Sequence, residues 1–282
     1  MTNSSLFNPT DLCGVTLKNR IAMAPMTRSR ADSAAVPSPH AAEYYAQRAS
    51  AGVIVSEAIG VSAQSVGYPR TPGIWNAEQR VSWREITDAV HARGGRIIAQ
   101  LWHVGRIFSP RNNPEGLSPL APSAVAAKGR IFTLGGLEAL PVPRAMTTAE
   151  ISNTVRDFAA AAGAALASGF DGVEIHGANG YLVEQFLSDH ANRRDDAYGG
   201  DPSRRLRFLA DIFDATAAQC GDLSRIGLRL SPFGDFNDIR HNDPGAVFKA
   251  AAGLLDAREG AYLHLIEPEV SGDGARREEH AG

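Results

Sequence analysis

Apolar residues along this chain follow two alternating rhythms. Short runs, apolar throughout or apolar at every second position, stand at 21–26, 53–57, 96–102, 172–176, 226–231 and 261–266, and they predict six strands. Segments with helical spacing lie between them. Ser38-Pro39 predicts an N-cap followed by proline at the first helical position, with a helix running to about Ser50. Asn76 with Gln79 predicts the cap of a helix through Val81, Ile86 and Val90 that Gly94-Gly95 ends. Thr147 and Glu150 form a capping box ahead of Ile151, Val155 and Phe158, and helical spacing continues to Gly169. Asp201-Pro202 opens a helix that Gly221 closes, and Asp243-Pro244 opens another through Val247, Ala251 and Leu254. This β-α-β-α order predicts an α/β fold with a mainly parallel sheet and crossover helices.

Strands in such a sheet are covered on both faces and are expected to be almost wholly apolar. Gln100, Glu174, His176 and Arg229 break that expectation. They stand near the C-terminal ends of their strands or on the face that alternates away from the aliphatics, and active sites of (β/α) barrels gather at that end. Two connections, 103–146 and 177–200, are too long to be simple links and are expected to be lids or binding loops. The second begins His176-Gly177-Ala178-Asn179-Gly180-Tyr181, a strand end running into a glycine-punctuated loop with three side chains able to donate hydrogen bonds. Two donors beside a phenol suit a substrate whose carbonyl or nitro oxygen gains charge while a neighbouring atom takes a proton. Satisfaction of loop backbone groups is the plainer role for His176 and Asn179.

The other polar positions carry two readings each. Thr27, closing Ala24-Pro25-Met26-Thr27-Arg28, is a turn former or a donor to a ligand oxygen. Gln100 is a satisfied core amide or a reader of a heterocyclic imide edge, and Trp102 shares its face. Arg229 needs an anion or strong acceptor if buried. Glu174 is an internal salt-bridge partner for it, and a bound ring that gains negative charge is the alternative. His103 reads as a loop histidine and His91 as part of a solvated helix face. The charged run 193–200 reads alone as a solvated surface and, placed directly after the His176 loop, as a structural brace for the site.

With 282 residues, 44% hydrophobic and 21% charged, a packed core is expected. A net charge of -3 argues against nucleic acid or an anionic membrane as partner. Cys13 and Cys220 lie far apart and outside any metal or redox motif, which suits a reducing cytoplasm. Met1 to Pro9 lacks a signal-peptide pattern, and the longest apolar run, 158–166, is too short to span a bilayer. No Gly-x-Gly-x-x-Gly loop or His-Glu-x-x-His is present, so neither a Rossmann domain nor a dedicated metal site is expected. A metal hydrolase built from His103, His176 and His264 is a weak third reading.

Taken together, Ala24-Pro25-Met26-Thr27-Arg28, Ser56-Glu57-Ala58, Gln100-Leu101-Trp102-His103-x-Gly105-Arg106, His176-Gly177-Ala178-Asn179-Gly180-Tyr181-Leu182, Asp195-Asp196-Ala197-Tyr198-Gly199-Gly200 and Arg229-Leu230-Ser231-Pro232 form a specific set. The chain resembles the Old Yellow Enzyme family of FMN-dependent ene-reductases, nearest the branch of N-ethylmaleimide and nitrate-ester reductases. The resemblance implies a TIM (β/α)8-type barrel, FMN as cofactor, NAD(P)H as reductant and a small-molecule substrate. It implies that Thr27 bonds the flavin O4 and that Pro25, Met26 and Ala58 line the isoalloxazine ring. Gln100 would read the pyrimidine edge, with Arg229 near N1 and O2. His176 and Asn179 would grip the substrate oxygen, Tyr181 would donate the proton, and Tyr68 and Trp102 would line the substrate pocket. Six strands rather than eight are expected, with an incomplete barrel over 1–268 and a charged tail over 269–282. The family's last two β-α units, with their glycine-rich loop and phosphate-binding arginine, have no counterpart. A truncated gene product, a fragment, and a barrel completed by another chain or a second copy are the explanations, with a non-catalytic fragment as the alternative function.

Overall fold

Parallel strands alternate their side chains between two faces, so a sheet with helices along one side needs an apolar row facing them. The computed structural model describes residues 5–12 and 14–267. Six strands form one all-parallel sheet in chain order: β1 (Ala22–Met23), β2 (Val53–Gly60), β3 (Ile97–Trp102), β4 (Gly172–Gly177), β5 (Ile226–Leu230) and β6 (Tyr262–Leu265). The crossovers carry α1 (His40–Ala46), α2 (Ala77–Ala92), α3 (Thr148–Ala167), α4 (Leu182–Leu187) with α5 (Pro202–Cys220), and α6 (Pro244–Asp256). This is the α/β fold with a parallel sheet that the pattern predicts and the incomplete barrel that the resemblance implies, and among the described residues β1 and β6 are each paired on one edge. Cys13, Pro268 and the tail expected at 269–282 lie outside the described residues.

One face of the sheet carries the core. Ile59, Leu101, Ile175 and Leu228 lie side by side in register, with no exposed surface. They pack in one cluster with Trp83 and Ile86 of α2, Phe158 and Ala162 of α3, and Phe208 and Ile212 of α5. The opposite face holds two rows of different chemistry. Ala58, Gln100, Glu174, Gly227 and Tyr262 form one, and Gly60, Trp102, His176, Arg229 and His264 form the next towards the C-terminal ends.

The caps behave as their sequences predict. Asn76 with Gln79 and Thr147 with Glu150 form reciprocal capping boxes, Asp201 and Asp243 accept from the first turns of α5 and α6, and Gly221 closes α5 at φ +69°. Beyond one-residue shifts at the ends of β3, β4, β5 and β6, three elements differ. β1 covers two residues rather than 21–26, since Pro25 has no N–H to give a ladder. Pro39, not Ser38, is the N-cap of α1, which ends at Ala46. β2 runs on to Gly60, because a register shift between Val55 and Ala58 absorbs the polar Ser56-Glu57 pair that had marked its end. Two hairpins escaped the sequence pattern: Thr10–Leu12 with Val15–Leu17, and Arg130–Thr133 with Gly136–Ala139 inside the long connection after β3. His91 is not simply solvated: its Nε2 lies 2.9 Å from Asp171 Oδ2.

Phe158 bridges α3 and the sheet from a site with no solvent exposure. Replacing it with alanine is expected to cost about 3–5 kcal/mol, whereas Asn76→Ala, which removes one cap, costs about 1 kcal/mol. Urea unfolding of the two variants checks the ranking.

Candidate active site

All six strands present their C-terminal ends on one side, and the second inner row opens there beneath the connections that follow β3, β4 and β5. Four rings meet at that mouth. Trp102 meets Tyr181 edge-on at 4.9 Å, His176 meets it edge-on at 5.2 Å, and Tyr68 stacks on Trp102 at 5.6 Å between centroids. The Tyr181 hydroxyl donates to the Tyr68 hydroxyl at 3.4 Å. Ile131, from the hairpin after β3, joins the same apolar cluster, so the long connection does cover the site.

Burial, the neighbouring Tyr68 and its hydroxyl contact push the Tyr181 phenol well above its ordinary range, against weaker opposing effects of Asn237 and Arg229. Tyr181 is therefore a protonated phenol at neutral pH. Burial, with the Arg229 charge and His264 beside it, holds His176 well below the usual imidazole range, so it is neutral. Its Nδ1 accepts from the Ala178 backbone N–H at 3.3 Å, which assigns the proton to Nε2 and makes that atom a donor. His103 is a loop histidine just past β3, and it is buried. Desolvation lowers it to about 3, and its Nδ1 accepts from Gly105 N–H at 3.1 Å.

Asn179 has φ +59°, a left-handed conformation that costs roughly 1 kcal/mol. Residues of the β5 connection hold it from both sides. Its N–H donates to Ser231 Oγ at 2.9 Å, and its carbonyl accepts from Asn237 Nδ2 at 2.8 Å. Ser231 Oγ and the Gly180 N–H both donate to Glu184 Oε2, at 2.9 and 2.7 Å. Asn237 and Asp238 are themselves left-handed, and Arg106 donates to the carbonyl of Asp238 at 2.8 Å. The Asn179 side-chain amide makes no hydrogen bond among the described residues and is left for a ligand.

The sequence readings missed Asn237, Glu184 and the anchoring by Arg106. Asn237-Asp238 does carry one signal: Asn and Asp tolerate positive φ, and this pair follows a strand at its C-terminal end. Within the charged run at 193–200, Arg194 donates to the carbonyls of Pro122 and Met146 in the long connection.

Below the rings, Gln100 Nε2 donates to Glu174 Oε1 at 2.7 Å, and Ala58 lies level with Gln100. The Arg229–Glu174 salt bridge does not form. The second Glu174 oxygen is taken by Tyr262 and His264, and Arg229 Nε is buried with no partner among the described residues. The metal reading fails as well, since the described residues hold no cluster of three His, Cys, Asp or Glu able to bind an ion. Thr27 and Met26 are exposed at the rim and Pro25 is half-buried. Their loop is pinned to β2 by the Arg28 N–H, which donates to Glu57 Oε2 at 3.1 Å. A half-buried arginine whose buried Nε has no partner among the described residues, a free amide oxygen on Gln100 and a bare rim beside Ala58 fit a flat ring with an N–H and carbonyls along its edge. That is the outline of a flavin.

Residues 5–281 match the model of the NADH:flavin oxidoreductase / NADH oxidase family. A flavin oxidoreductase of Emericella nidulans is 43% identical over 272 residues, which are 93% of this chain and 69% of that protein. The solved structure of an old yellow enzyme homologue from Zymomonas mobilis superposes with a TM-score of 0.90 at 45% identity, covering 93% of this chain and 73% of that one. Morphinone reductase, solved in complex with tetrahydroNAD, gives 0.90 at 44% identity, covering 96% and 76%. No helix of the described residues is long and apolar enough to cross a membrane.

Glu57 gives the site margin a pH dependence. Burial raises its carboxyl from about 4.5 to about 7, although the Arg28 N–H, the Arg28 charge and the Tyr45 hydroxyl pull the other way. The folded protein thus keeps a proton that the unfolded chain releases, so stability falls as pH rises from about 4.5 to about 7, by about 3 kcal/mol in all. Glu57→Gln mimics the protonated form. It is expected to melt above the wild type at pH 8 and with it at pH 5, and equal melting at both values would remove the assignment.

Proposed function

We propose that this chain, which belongs to the NADH:flavin oxidoreductase / NADH oxidase family, reduces alkenes conjugated to a carbonyl, such as enones and maleimides, or nitro compounds. As a member of that family it is an FMN-dependent oxidoreductase with NAD(P)H as reductant. Thr27, Pro25, Met26, Ala58, Gln100 and Arg229 would hold FMN, which when bound supplies the two-electron redox chemistry.

The remaining work belongs to the side chains at the mouth. Nε2 of neutral His176 and the amide of Asn179 bind the substrate's carbonyl or nitro oxygen, where negative charge builds as the double bond is reduced. Fixed donors lower that barrier because they do not reorganise during reaction. The Tyr181 hydroxyl delivers a proton to the carbon next to the activating group, and Tyr68, in hydrogen-bond contact behind it, restores that proton. Trp102 and Tyr68 give the pocket a flat apolar wall that keeps water from the reacting carbon. The observation that carries the reading is the buried, protonated Tyr181 phenol in ring contact with a neutral, donating His176.

Tyr181→Phe tests it. The variant should accept electrons from NAD(P)H at the wild-type rate and reduce 2-cyclohexenone about 10²–10⁴-fold more slowly. His176→Ala with Asn179→Ala should instead raise KM and lower kcat together. Stopped-flow traces of the two half-reactions separate these effects, and wild-type enone reduction by Tyr181→Phe would overturn the assignment.

A further inference from the structure

Glu174 lies beneath the ring-facing residues with no exposed surface, and side chains from two neighbouring parts of the sheet converge on it. Gln100 Nε2 donates to Oε1 at 2.7 Å, while Oε2 accepts from the Tyr262 hydroxyl at 3.0 Å and from His264 Nδ1 at 2.9 Å. Tyr262 stands two strands away. It reaches Glu174 because the residue between them in the row is Gly227, where a Cβ would lie 2.3 Å from the tyrosine ring. A buried carboxylate is costly and an apolar residue would fill the position at less expense, so its retention asks for a reason.

The polarity of Gln100 supplies one. Glu174 Oε1 accepts from the Gln100 NH2, so the amide carbonyl faces away from the carboxyl group. Oε1 of Gln100 makes no hydrogen bond among the described residues. We propose that Glu174 is a positioning residue, which locks the Gln100 amide with its oxygen towards the site and so selects a ring edge that presents an N–H. The flipped amide would set one carbonyl against a carboxylate and leave a buried NH2 unpaired, which disfavours it roughly tenfold or more. With the unpartnered Nε of Arg229 on the next row two strands away, the inner face offers one acceptor and one cationic donor, the complement of an imide edge rather than of an amine-bearing ring. The inference rests on the reading of Gln100 as a cofactor contact.

A double-mutant cycle tests it, with FMN affinity for the apoprotein read by quenching of flavin fluorescence and folding checked by circular-dichroism melting. Gln100→Ala and Glu174→Gln should each weaken FMN about tenfold, because a neutral amide at position 174 no longer dictates which end of Gln100 faces the ring. Placed in the Gln100→Ala background, Glu174→Gln should cost less than about threefold, since its route to the ligand is gone. An equal cost in both backgrounds, or none in either, overturns the proposal while leaving Gln100 as a contact. Unchanged affinity in Gln100→Ala, or no FMN binding by the wild type, overturns the reading of Gln100 and the proposal with it. Should Glu174→Gln fail to fold, Tyr262→Phe takes its place in the cycle. It should weaken FMN about threefold in the wild-type background alone, and an equal loss in both backgrounds overturns the proposal.

Discussion

The strand register between β2 and β5 sets every position inside the barrel. Because side chains alternate strictly, a slip by one residue would carry Gln100, Glu174, His176 and Arg229 to the helical side and bring Leu101, Ile175 and Leu228 inward. What prevents the slip is the apolar row itself. Ile59, Leu101, Ile175 and Leu228 lie level across four strands and have Trp83, Phe158 and Phe208 against them. The chemistry of the inner face therefore depends on hydrophobic burial on the other face, at roughly 25 cal/mol per Å² of apolar surface removed from water. The bulge at Ser56-Glu57 is the one adjustment along β2. It returns Ala58 to the level of Gln100 and leaves Glu57 free to meet Tyr45 and the Arg28 N–H.

Register alone leaves the loops free, and the donors on them need a second constraint. Asn179 meets it through backbone bonds to two residues of the neighbouring connection, so its unfavourable φ is imposed from outside rather than chosen locally. Glu184 joins Gly180 to Ser231, and Gln185 donates to the carbonyls of Val104 and Gly180 from the same short helix. The connections after β3, β4 and β5 are thus laced together around α4, whose N-cap is Tyr181. A side chain at the end of a helix whose every residue is buried has little freedom to wander, and that fixes the Tyr181 hydroxyl in place.

Local patterns in the sequence disclose the six strands of the sheet and the long helices, but not α4 or the two hairpins. Capping boxes at Asn76 and Thr147 and the Asp-Pro openings of α5 and α6 are short-range chemistry, and each forms as read. The inward polar residues were visible because they interrupt runs that burial would otherwise keep apolar. Pairings over long separation were not visible. That Glu174 meets Gln100, Tyr262 and His264 instead of Arg229 depends on the order of strands and on a glycine at 227, which no window around residue 174 contains. Asn237 escaped for a related reason: its loop has no periodicity, and its conformation comes from Arg106, some 130 positions earlier in the chain. The placement of His91 on Asp171 likewise follows from the packing of α2 beside β4, not from the helix's own pattern.

The separation of Glu174 from Arg229 has an electrostatic consequence. Had the two formed a direct bidentate pair, the guanidinium would be neutralised and its donors occupied, and the pocket would offer a ligand little positive potential. Instead the carboxylate is satisfied by an amide, a phenol and an imidazole, while Arg229 keeps a buried Nε without a partner and its charge faces the next row. Burial lowers the guanidinium's affinity for its proton but nearby Glu174, Tyr181 and Tyr262 oppose that shift, so the cation persists inside a largely apolar wall. The same charge helps to keep His176 neutral and therefore a single-proton donor. Because Arg229 and Glu174 stand on adjacent rows of the inner face without pairing, the guanidinium Nε keeps a donor without a partner among the described residues.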